Sequence, residues 1–256
     1  MDKLFLQERL GKIVEIIQTQ GRVSVSDLSE RFGVSPVTVR NDLASLERQG
    51  LIHRTHGGAV VRPDSNQEPA FLLRKELHSK EKELIGRKAA EYIQDGDSIA
   101  LDASTTAWHI ARNIKGRQEL TVLTNGLFIA LELSDSPGVT VVMPGGMLRS
   151  GSTSLVGDIG VAMLERLHVQ KAFFGAWGLT LQEGLTDLNQ YEVELKRLLV
   201  EKSKEVIAVV DASKWGQVAF TTFAQLDQVN RIITNSSAPE EMVAAIRKCG
   251  IEVTLV

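Results

Sequence analysis

The chain has 256 residues, of which 43% are hydrophobic and 24% charged, and its formal net charge at pH 7 is −3. This composition is typical of a globular protein and excludes disordered and fibrous classes. No apolar run approaches the roughly 20 residues that a membrane-spanning helix needs. The first residues also lack the apolar core and cleavage site of a secretion signal. We therefore expect a soluble, cytoplasmic protein that does not bind a membrane.

Cysteine and histidine usage argues against a metal site. The single Cys249 excludes an internal disulfide and a cysteine-based zinc site. The 5 His residues are scattered without the spacing of metal ligands. We expect no metal ion and no resident cofactor.

The first 50 residues predict three helices. An amphipathic helix ends at Gly21, and its apolar positions recur at helical spacing: Leu10, Ile13, Val14 and Ile17. Residues 26–50 predict two shorter helices that join at Gly33, where the chain must turn sharply. This pattern is typical of a DNA-binding helix-turn-helix, but it also occurs in ordinary helical hairpins. The flanking sequence therefore decides between these two interpretations.

The third predicted helix begins with Ser35 followed by Pro36, a favoured N-cap and a residue suited to the first helical position. Apolar residues at i, i+4 and i+7 predict one buried stripe: Val39, Leu43 and Leu46. The stripe leaves polar and cationic groups off the core at the start of the helix, which suits the DNA major groove. The residues expected to contact DNA from this helix are Ser35, Pro36, Thr38, Arg40 and Asn41.

Residues 51–61 predict two short strands around a turn, which form a β-wing. Arg54 and His56 lie on this segment, where a phosphate backbone would pass. We therefore predict a winged helix-turn-helix domain over residues 1–61, with double-stranded DNA as its partner.

Charge supports this assignment. Residues 1–62 hold 9 Lys and Arg against 7 Asp and Glu, whereas the remainder holds 20 against 25. The positive excess lies in residues 31–62, which contain five Arg and two acids. This pattern indicates a local basic patch rather than a basic protein.

A linker and a larger second domain are predicted next. Residues 62–78 begin with a polar stretch that contains two prolines, the composition of an exposed linker. Residues 79–256 form the second domain. It begins with a charge-dense helix from about Ser79, with three apolar residues facing inward: Leu84, Ala89 and Ile93.

Short apolar strands then alternate with helices. The predicted strands are 98–101, 120–123, 139–143, 172–174, 206–210, 231–234 and 252–256. The predicted helices are 106–113, 127–133, 160–167, 191–203 and 239–248. Near-continuous Val, Ile and Leu strands separated by helices favour an α/β fold, with a mostly parallel sheet covered on both faces.

Polar and glycine-rich segments follow five of these strands, at 102–106, 124–126, 144–146, 175–178 and 211–214. Open α/β sheets bind ligands at the carboxyl ends of their strands. The Ser-Thr-Thr sequence at 104–106 lies where a helix begins, so its hydroxyls and free N–H groups form an anion site. Lys214 would add positive charge, and Asp102 would accept sugar hydroxyls. We expect a small phosphorylated sugar or polyol, although any single loop is also explained by turn and capping residues.

These motifs together resemble the DeoR family of bacterial transcriptional regulators over essentially the whole chain. In the first domain the resemblance lies in residues 37–43, 46–47 and 54–59. In the second it lies in residues 97–106, 124–125, 145–146, 157, 173–178, 184–186, 192, 196 and 211–214. Asn41 and Ser104 depart from the family pattern, which often has Arg and Gly at these positions.

The resemblance implies a second domain related to ribose-5-phosphate isomerases and CoA transferases that senses a phosphorylated sugar. It also implies a repressor of a carbohydrate-utilisation operon, released from its operator by that sugar, and a homo-oligomer such as a dimer or tetramer. The residues expected to contact the effector are Asp102, Ser104, Thr105, Thr106, Asn125, Gly145, Gly146, Lys196 and Lys214.

Two other functions and one other explanation for a residue pair are weighed against this interpretation. A sugar-phosphate isomerase or transferase with a regulatory DNA-binding domain is conceivable, because fold does not fix function. An architectural DNA-binding protein does not account for the polar strand ends. For Glu192 and Lys196, an i,i+4 salt bridge on a solvated helix surface explains their spacing about as well as ligand contact.

Overall fold

The protein is described from a computed structural model that covers residues 5–61 and 68–256. The chain divides into two compact units, one ending at Ser79 and the other comprising Lys80–Val256. In the described ranges, no helix is long and apolar enough to cross a membrane.

The N-terminal unit is a winged helix-turn-helix domain, as the sequence predicts. Its elements are α1 (Leu6–Gln20), β1 (Arg22–Ser24), α2 (Val25–Phe32), α3 (Pro36–Arg48), β2 (Ile52–Thr55), β3 (Gly58–Val61) and α4 (Phe71–Glu76). The strands form an antiparallel sheet in the order β1-β3-β2. Strand β1 was not predicted, because its three residues are too short to show an alternating pattern.

A buried ion pair joins two helices of this unit. The guanidinium of Arg9 in α1 donates to both carboxylate oxygens of Asp42 in α3, at 2.5 and 3.0 Å. Both residues are buried among the apolar side chains of the three main helices. The carboxylate hydrogen bond raises the pKa of Arg9 despite the opposing effect of burial. Helices α1 and α3 are therefore held together by charge as well as by apolar contacts.

The predicted linker over 62–78 is revised by the structure. Residues 71–76 form α4, and Leu73 of this helix is buried in the core of the N-terminal unit. Arg74 of α4 forms a 3.0 Å ion pair with Glu68. The two prolines and the polar residues concealed this helix, which has only six residues. Residues 62–67 lie outside the described residues.

The C-terminal unit alternates strands and helices. Its helices are α5 (Ser79–Ala90), α6 (Thr105–Asn113), α7 (Leu127–Leu133), α8 (Asp158–Leu164), α9 (Gln190–Glu201) and α10 (Glu240–Lys248). Its strands are β4 (Ser98–Leu101), β5 (Leu120–Thr124), β6 (Val139–Val142), β7 (Met147–Arg149), β8 (Ser154–Val156), β9 (Val169–Phe174), β10 (Gly178–Thr180), β11 (Gly184–Asp187), β12 (Ser203–Val209), β13 (Thr221–Ala224), β14 (Arg231–Thr234) and β15 (Glu252–Leu255). The predicted α/β class is confirmed, with element ends displaced by up to three residues.

The main sheet has seven parallel strands in the order β15-β14-β12-β9-β4-β5-β6. From β4 the chain adds β5 and β6 on one side, then returns to add β9, β12, β14 and β15 on the other. The connections after β4 and β9 therefore run in opposite directions along the sheet. We call the place between these two loops the crevice. Ligands bind at such a topological switch point in open α/β sheets.

Smaller antiparallel elements add to this sheet. Strands β7 and β8 form a hairpin, and β10, β11 and β13 form a three-stranded sheet. None of these strands was predicted, since each is short and mixes its apolar residues with Gly, Ser, Thr, Asp or Arg.

One inward-facing residue of the first helix was also predicted wrongly. Leu84 is 45% exposed, and Ile85 occupies the buried position. The helical phase explains the difference, because Ile85, Ala89 and Ile93 recur at four-residue intervals.

The buried ion pair makes a testable demand on stability. Asp42→Ala should lower the free energy of local unfolding in α1 and α3 by about 3–5 kcal/mol, since Arg9 would remain buried without its carboxylate. Backbone amide hydrogen exchange of the full chain measures this loss element by element. Glu83→Ala, which removes an exposed pair with Arg87, is the control and should change nothing measurable. Unchanged protection of α1 and α3 in Asp42→Ala would contradict the role assigned to the pair.

Candidate functional site

The start of α3 forms an exposed polar surface. Ser35 caps the helix, with its Oγ accepting the N–H of Thr38 at 3.1 Å and lying 2.9 Å from the Thr38 hydroxyl. Pro36, Arg40 and Asn41 are exposed, whereas Thr38 is half-buried. The structure therefore brings all five residues predicted for this helix to one end of it. The hydroxyl of Ser35 is engaged in capping, so its N-terminal position matters more than its hydroxyl.

Val37 is a further member of this surface. Its side chain is 62% exposed although it is apolar. The sequence pattern placed it off the buried stripe, but an apolar side chain was not included among the expected DNA contacts. Apolar groups at this position of a helix contact thymine methyl groups in the major groove.

The wing is fixed to α3 by Glu47. Its carboxylate accepts the backbone N–H of Arg54 at 3.0 Å, and its second oxygen lies 3.9 Å from the Arg54 guanidinium. Arg54 and His56 are both exposed. Gly58 opens the returning strand so close to β1 that a Cβ would lie 1.8 Å from the Val23 carbonyl oxygen. The wing thus has a defined position beside the recognition helix.

In the C-terminal unit, Asp102 joins the two loops at the switch point. It follows β4 directly and is 1% exposed. One carboxylate oxygen accepts the N–H of Ser104 at 3.3 Å, and the other accepts the N–H of Gly175 after β9 at 3.0 Å. The predicted contact between Asp102 and a sugar hydroxyl competes with these bonds, and the carboxylate first of all fixes the crevice.

Lys196 of α9 contacts both of these loops. Its Nζ lies 2.8 Å from Asp102, 2.6 Å from Asp187 and 2.9 Å from the carbonyl oxygen of Gly175. An ammonium has three donors, and each has a protein acceptor here. Lys196 was predicted as an effector contact, but in this structure it positions the loops that surround the crevice.

Burial and ion pairing act in opposite directions on the pKa values of Lys196 and Asp187. Burial opposes the charged form of Lys196, but Asp102 and Asp187 outweigh it and raise the pKa of the lysine above its ordinary value. Burial also raises the pKa of Asp187, against the opposing effect of Lys196. Pairing with the two carboxylates therefore favours the charged form of the lysine.

Glu192 has different partners from those that its spacing suggested. Its carboxylate accepts hydrogen bonds from the Arg149 guanidinium at 2.6 Å and from the Ser154 hydroxyl at 2.5 Å. Ser152 lies 2.7 Å from Ser154 and accepts from Arg149 at 3.0 Å. Burial opposes ionisation of Glu192, but the serine hydroxyls together with Lys196 and Arg149 lower its pKa. A solvated i,i+4 salt bridge with Lys196 is therefore not the role of Glu192.

No sequence pattern indicated the cluster that Glu192 forms with Arg149, Ser152 and Ser154. Arg149, Ser152 and Ser154 belong to the β7–β8 hairpin, which has no sequence periodicity. Asn125, which was predicted as an effector contact, donates to the Leu155 carbonyl at 3.2 Å and its own carbonyl accepts the N–H of Leu155 at 2.8 Å. Asn125 and Glu192 together hold the hairpin at the carboxyl edge of the sheet.

Gly145 and Gly146 lead into the hairpin and are exposed. Gly146 has φ +136°, and a Cβ there would lie 2.3 Å from the Val156 carbonyl oxygen. This close approach explains the glycine at position 146 without any ligand. A Cβ at Gly145 would lie 3.0 Å from a side-chain carbon of Ile159.

Helix α6 begins inside the crevice. Ser104 caps it by accepting the N–H of Ala107 at 3.1 Å, and the buried Thr105 and Thr106 form its first turn. The first N–H groups of a helix lack helical partners and favour an anion. Of the predicted effector residues, these three have the geometry that suits a phosphate.

Lys214 approaches from the neighbouring strand. It ends a short 3₁₀ turn after β12 that is capped by Asp211, and its Nζ lies 4.9 Å from the centre of the Trp177 ring. Trp177 follows Gly175 by two residues, so the lysine and the indole lie at the same edge of the sheet as Asp102. Trp177 was not among the predicted site residues.

Known families match both units. The family model of the DeoR C terminal sensor domain matches residues 77–236, and that of the DeoR-like helix-turn-helix domain matches residues 9–64. The chain is 34% identical to the HTH-type transcriptional regulator GolR of Listeria innocua over 98% of this chain and 99% of that one. It is 32% identical to the glycerol-3-phosphate regulon repressor of Escherichia coli, over 97% and 98% of the two chains.

Among solved structures, ribose 5-phosphate isomerase A of Methanocaldococcus jannaschii is similar to part of the chain. The two share 16% identity over 54% of this chain and 55% of that one, with a TM-score of 0.41.

The lowered pKa of Glu192 predicts a specific pH dependence. Because its folded pKa lies below the ordinary value of 4.5, the ionised group stabilises the fold above pH 4.5, and this contribution is lost as the pH falls through the folded pKa. The difference in Tm between wild type and Glu192→Gln should therefore be largest near neutral pH and shrink below pH 4.5. Thermal unfolding between pH 7 and pH 3 measures it.

The matched control is Glu194→Gln, which removes one negative charge at an exposed position of the same helix. A Tm difference for Glu192→Gln that stays constant down to pH 3 would contradict the assigned role of the carboxylate.

Proposed function

Because the chain belongs to the DeoR family of transcriptional regulators, we propose that it represses a carbohydrate-utilisation operon and leaves its operator when a phosphorylated sugar or polyol binds the C-terminal unit. It is a DNA-binding regulator by family. The identity of the effector class is supported by one observation above all, which is that capped helix α6 begins at the switch point of the parallel sheet.

On the DNA side, the exposed start of α3 suits the major groove. Arg40 and Asn41 lie on the exposed face and suit contacts to base edges, with Thr38 beside them. The helix start at Ser35 and the exposed Arg54 of the wing suit phosphate contacts. A homo-oligomer would place two such helices on half-sites about one helical turn, or a multiple of it, apart.

On the effector side, the phosphate would lie at the first turn of α6, with Lys214 as a further cation. The hydroxyl groups of the ligand would face the polar loops after β4, β5 and β9. To release DNA, the effector must bind the DNA-incompetent arrangement more tightly, by a coupling of roughly 1–3 kcal/mol in typical cases.

The names of the relatives support a sensor rather than an enzyme, because these relatives are transcriptional regulators. The Escherichia coli relative is named as the repressor of a glycerol-3-phosphate regulon. In this chain Asp102 and Asp187 raise the pKa of the buried Lys196, which is the opposite of what general base catalysis by a lysine near neutral pH requires.

Arg40→Ala should separate the two units functionally. Loss of a base-edge contact is expected to weaken specific DNA binding by about 1–3 kcal/mol, while effector affinity stays unchanged. Fluorescence anisotropy with DNA from upstream of the protein's own operon measures the first, and calorimetry measures the second. Arg87→Ala, which removes an exposed arginine from α5, controls for the loss of positive charge. Weaker effector binding in Arg40→Ala would contradict this division of function.

The effector class is tested by titrating the protein–DNA complex with sugar phosphates. The panel is glycerol 3-phosphate, ribose 5-phosphate, glucose 6-phosphate and fructose 1-phosphate, each beside its unphosphorylated counterpart. We expect release by a phosphorylated compound and none by its counterpart, because the helix start and Lys214 recognise the phosphate. DNA binding that ignores the whole panel would contradict the sensor proposal. Turnover of a panel member by the pure protein would instead support the isomerase alternative.

A further inference from the structure

Trp177 and Lys214 form a pair at the carboxyl edge of the parallel sheet. Trp177 lies three residues beyond the end of β9, and Lys214 lies in the turn after β12, the neighbouring strand. The Lys214 ammonium lies over the face of the indole, 4.9 Å from the ring centre. Both residues are half-buried, so the pair is in contact with both the protein and solvent.

The backbone on both sides of Trp177 is fixed. Gly175 donates to Asp102 and accepts from Lys196, and a Cβ at Gly175 would lie 2.6 Å from the Ser104 Oγ. The N–H of Trp177 donates to the Thr186 carbonyl at 2.9 Å. The same loop therefore contacts the cap of α6 and presents the indole two residues later. Trp177 is therefore two residues from the backbone that contacts the start of α6.

The turn that holds Lys214 is equally well anchored. Asp211 caps it by accepting from the backbone of Ser213 at 3.0 Å, and the Asn235 side chain accepts the N–H of Ala212 at 2.7 Å. The indole face restrains the Lys214 side chain, because a cation over an aromatic ring is attracted by its quadrupole.

An ammonium beside an indole matches a ligand that has both an anionic group and a carbon skeleton. We propose that Trp177 and Lys214 form one wall of the effector pocket, in which Lys214 pairs with the phosphate and the indole packs against carbon-bound hydrogens of the sugar or polyol. This inference rests on the sensor function proposed above and assigns specificity within it. Small-ligand sites commonly combine an apolar aromatic wall with a few placed polar groups.

The two residues then differ in what they distinguish. Lys214 attracts any phosphate, whereas Trp177 adds affinity only for a phosphate that carries a carbon skeleton. Trp177 is therefore the residue that separates a sugar phosphate from the inorganic phosphate of the cell.

Calorimetric titration of the full-length protein tests this difference. The probes are the sugar phosphate of the panel that binds wild type most tightly, and inorganic phosphate, the latter measured by competition. Trp177→Ala should weaken binding of the sugar phosphate by roughly three- to tenfold, which is the scale of an aromatic contact. It should weaken binding of inorganic phosphate by less than twofold. Trp177→Phe should fall between wild type and Trp177→Ala. Lys214→Met should weaken both probes.

Trp108→Phe is the matched control, because Trp108 has the Arg112 guanidinium over its ring at 5.1 Å in a similar pair elsewhere on α6. Thermal unfolding of the C-terminal unit should equal that of wild type in every variant, which establishes that each is folded. A sugar phosphate affinity within twofold of wild type in Trp177→Ala would overturn the proposed wall. Equal weakening of both probes would also overturn it, since Trp177 would then act only by holding Lys214. Absence of binding by wild type to every probe would overturn the sensor function and the wall together.

Discussion

The ammonium of Lys196 is the point on which the carboxyl edge of the sheet depends. It bonds to the loop after β4 through Asp102, to the loop after β9 through Gly175 and to β11 through Asp187. Asp102 and Gly175 are 73 residues apart in sequence, and the ammonium bonds to both of their loops. A charge buried this deeply is tolerated only when its partners are arranged around it, and removal of one partner leaves the others uncompensated. The relative positions of these loops therefore depend on the charge network around Lys196.

The start of α6 shows the functional value of this arrangement. Asp102 orients the backbone at Ser104, Ser104 caps the helix, and the first turn then presents its remaining N–H groups. Asp102 is a buried anion close to a proposed phosphate site, and Lys196 offsets its charge. The Glu192 cluster acts similarly on the other side, where Arg149 and two serines compensate a buried carboxylate and hold the hairpin. Polar groups that need no movement on binding lower the cost of recognition.

Sequence patterns predicted the parts of the fold that repeat a period. The buried stripe of α3 and the Val-, Ile- and Leu-rich strands of the main sheet were found because burial of one face or both faces leaves a recurring pattern. Strands β7, β8, β10, β11 and β13 were missed because each is short and mixes its apolar residues with polar residues or glycine. Of the expected site residues, those at the start of α3 and α6 are placed as expected. Lys196 and Glu192 are four residues apart, yet each is neutralised by a residue distant in sequence. Spacing along one helix does not contain that information.

The ion pair between Arg9 and Asp42 limits how the protein transmits a signal. Tilting α3 against α1 would separate two buried charges, at a cost of roughly 3–5 kcal/mol. That exceeds the roughly 1–3 kcal/mol by which one ligand usually alters the affinity for another. The effector proposed above would therefore leave α1 and α3 in the same arrangement. We infer that it would act on how many DNA-binding units meet the DNA, or on their separation.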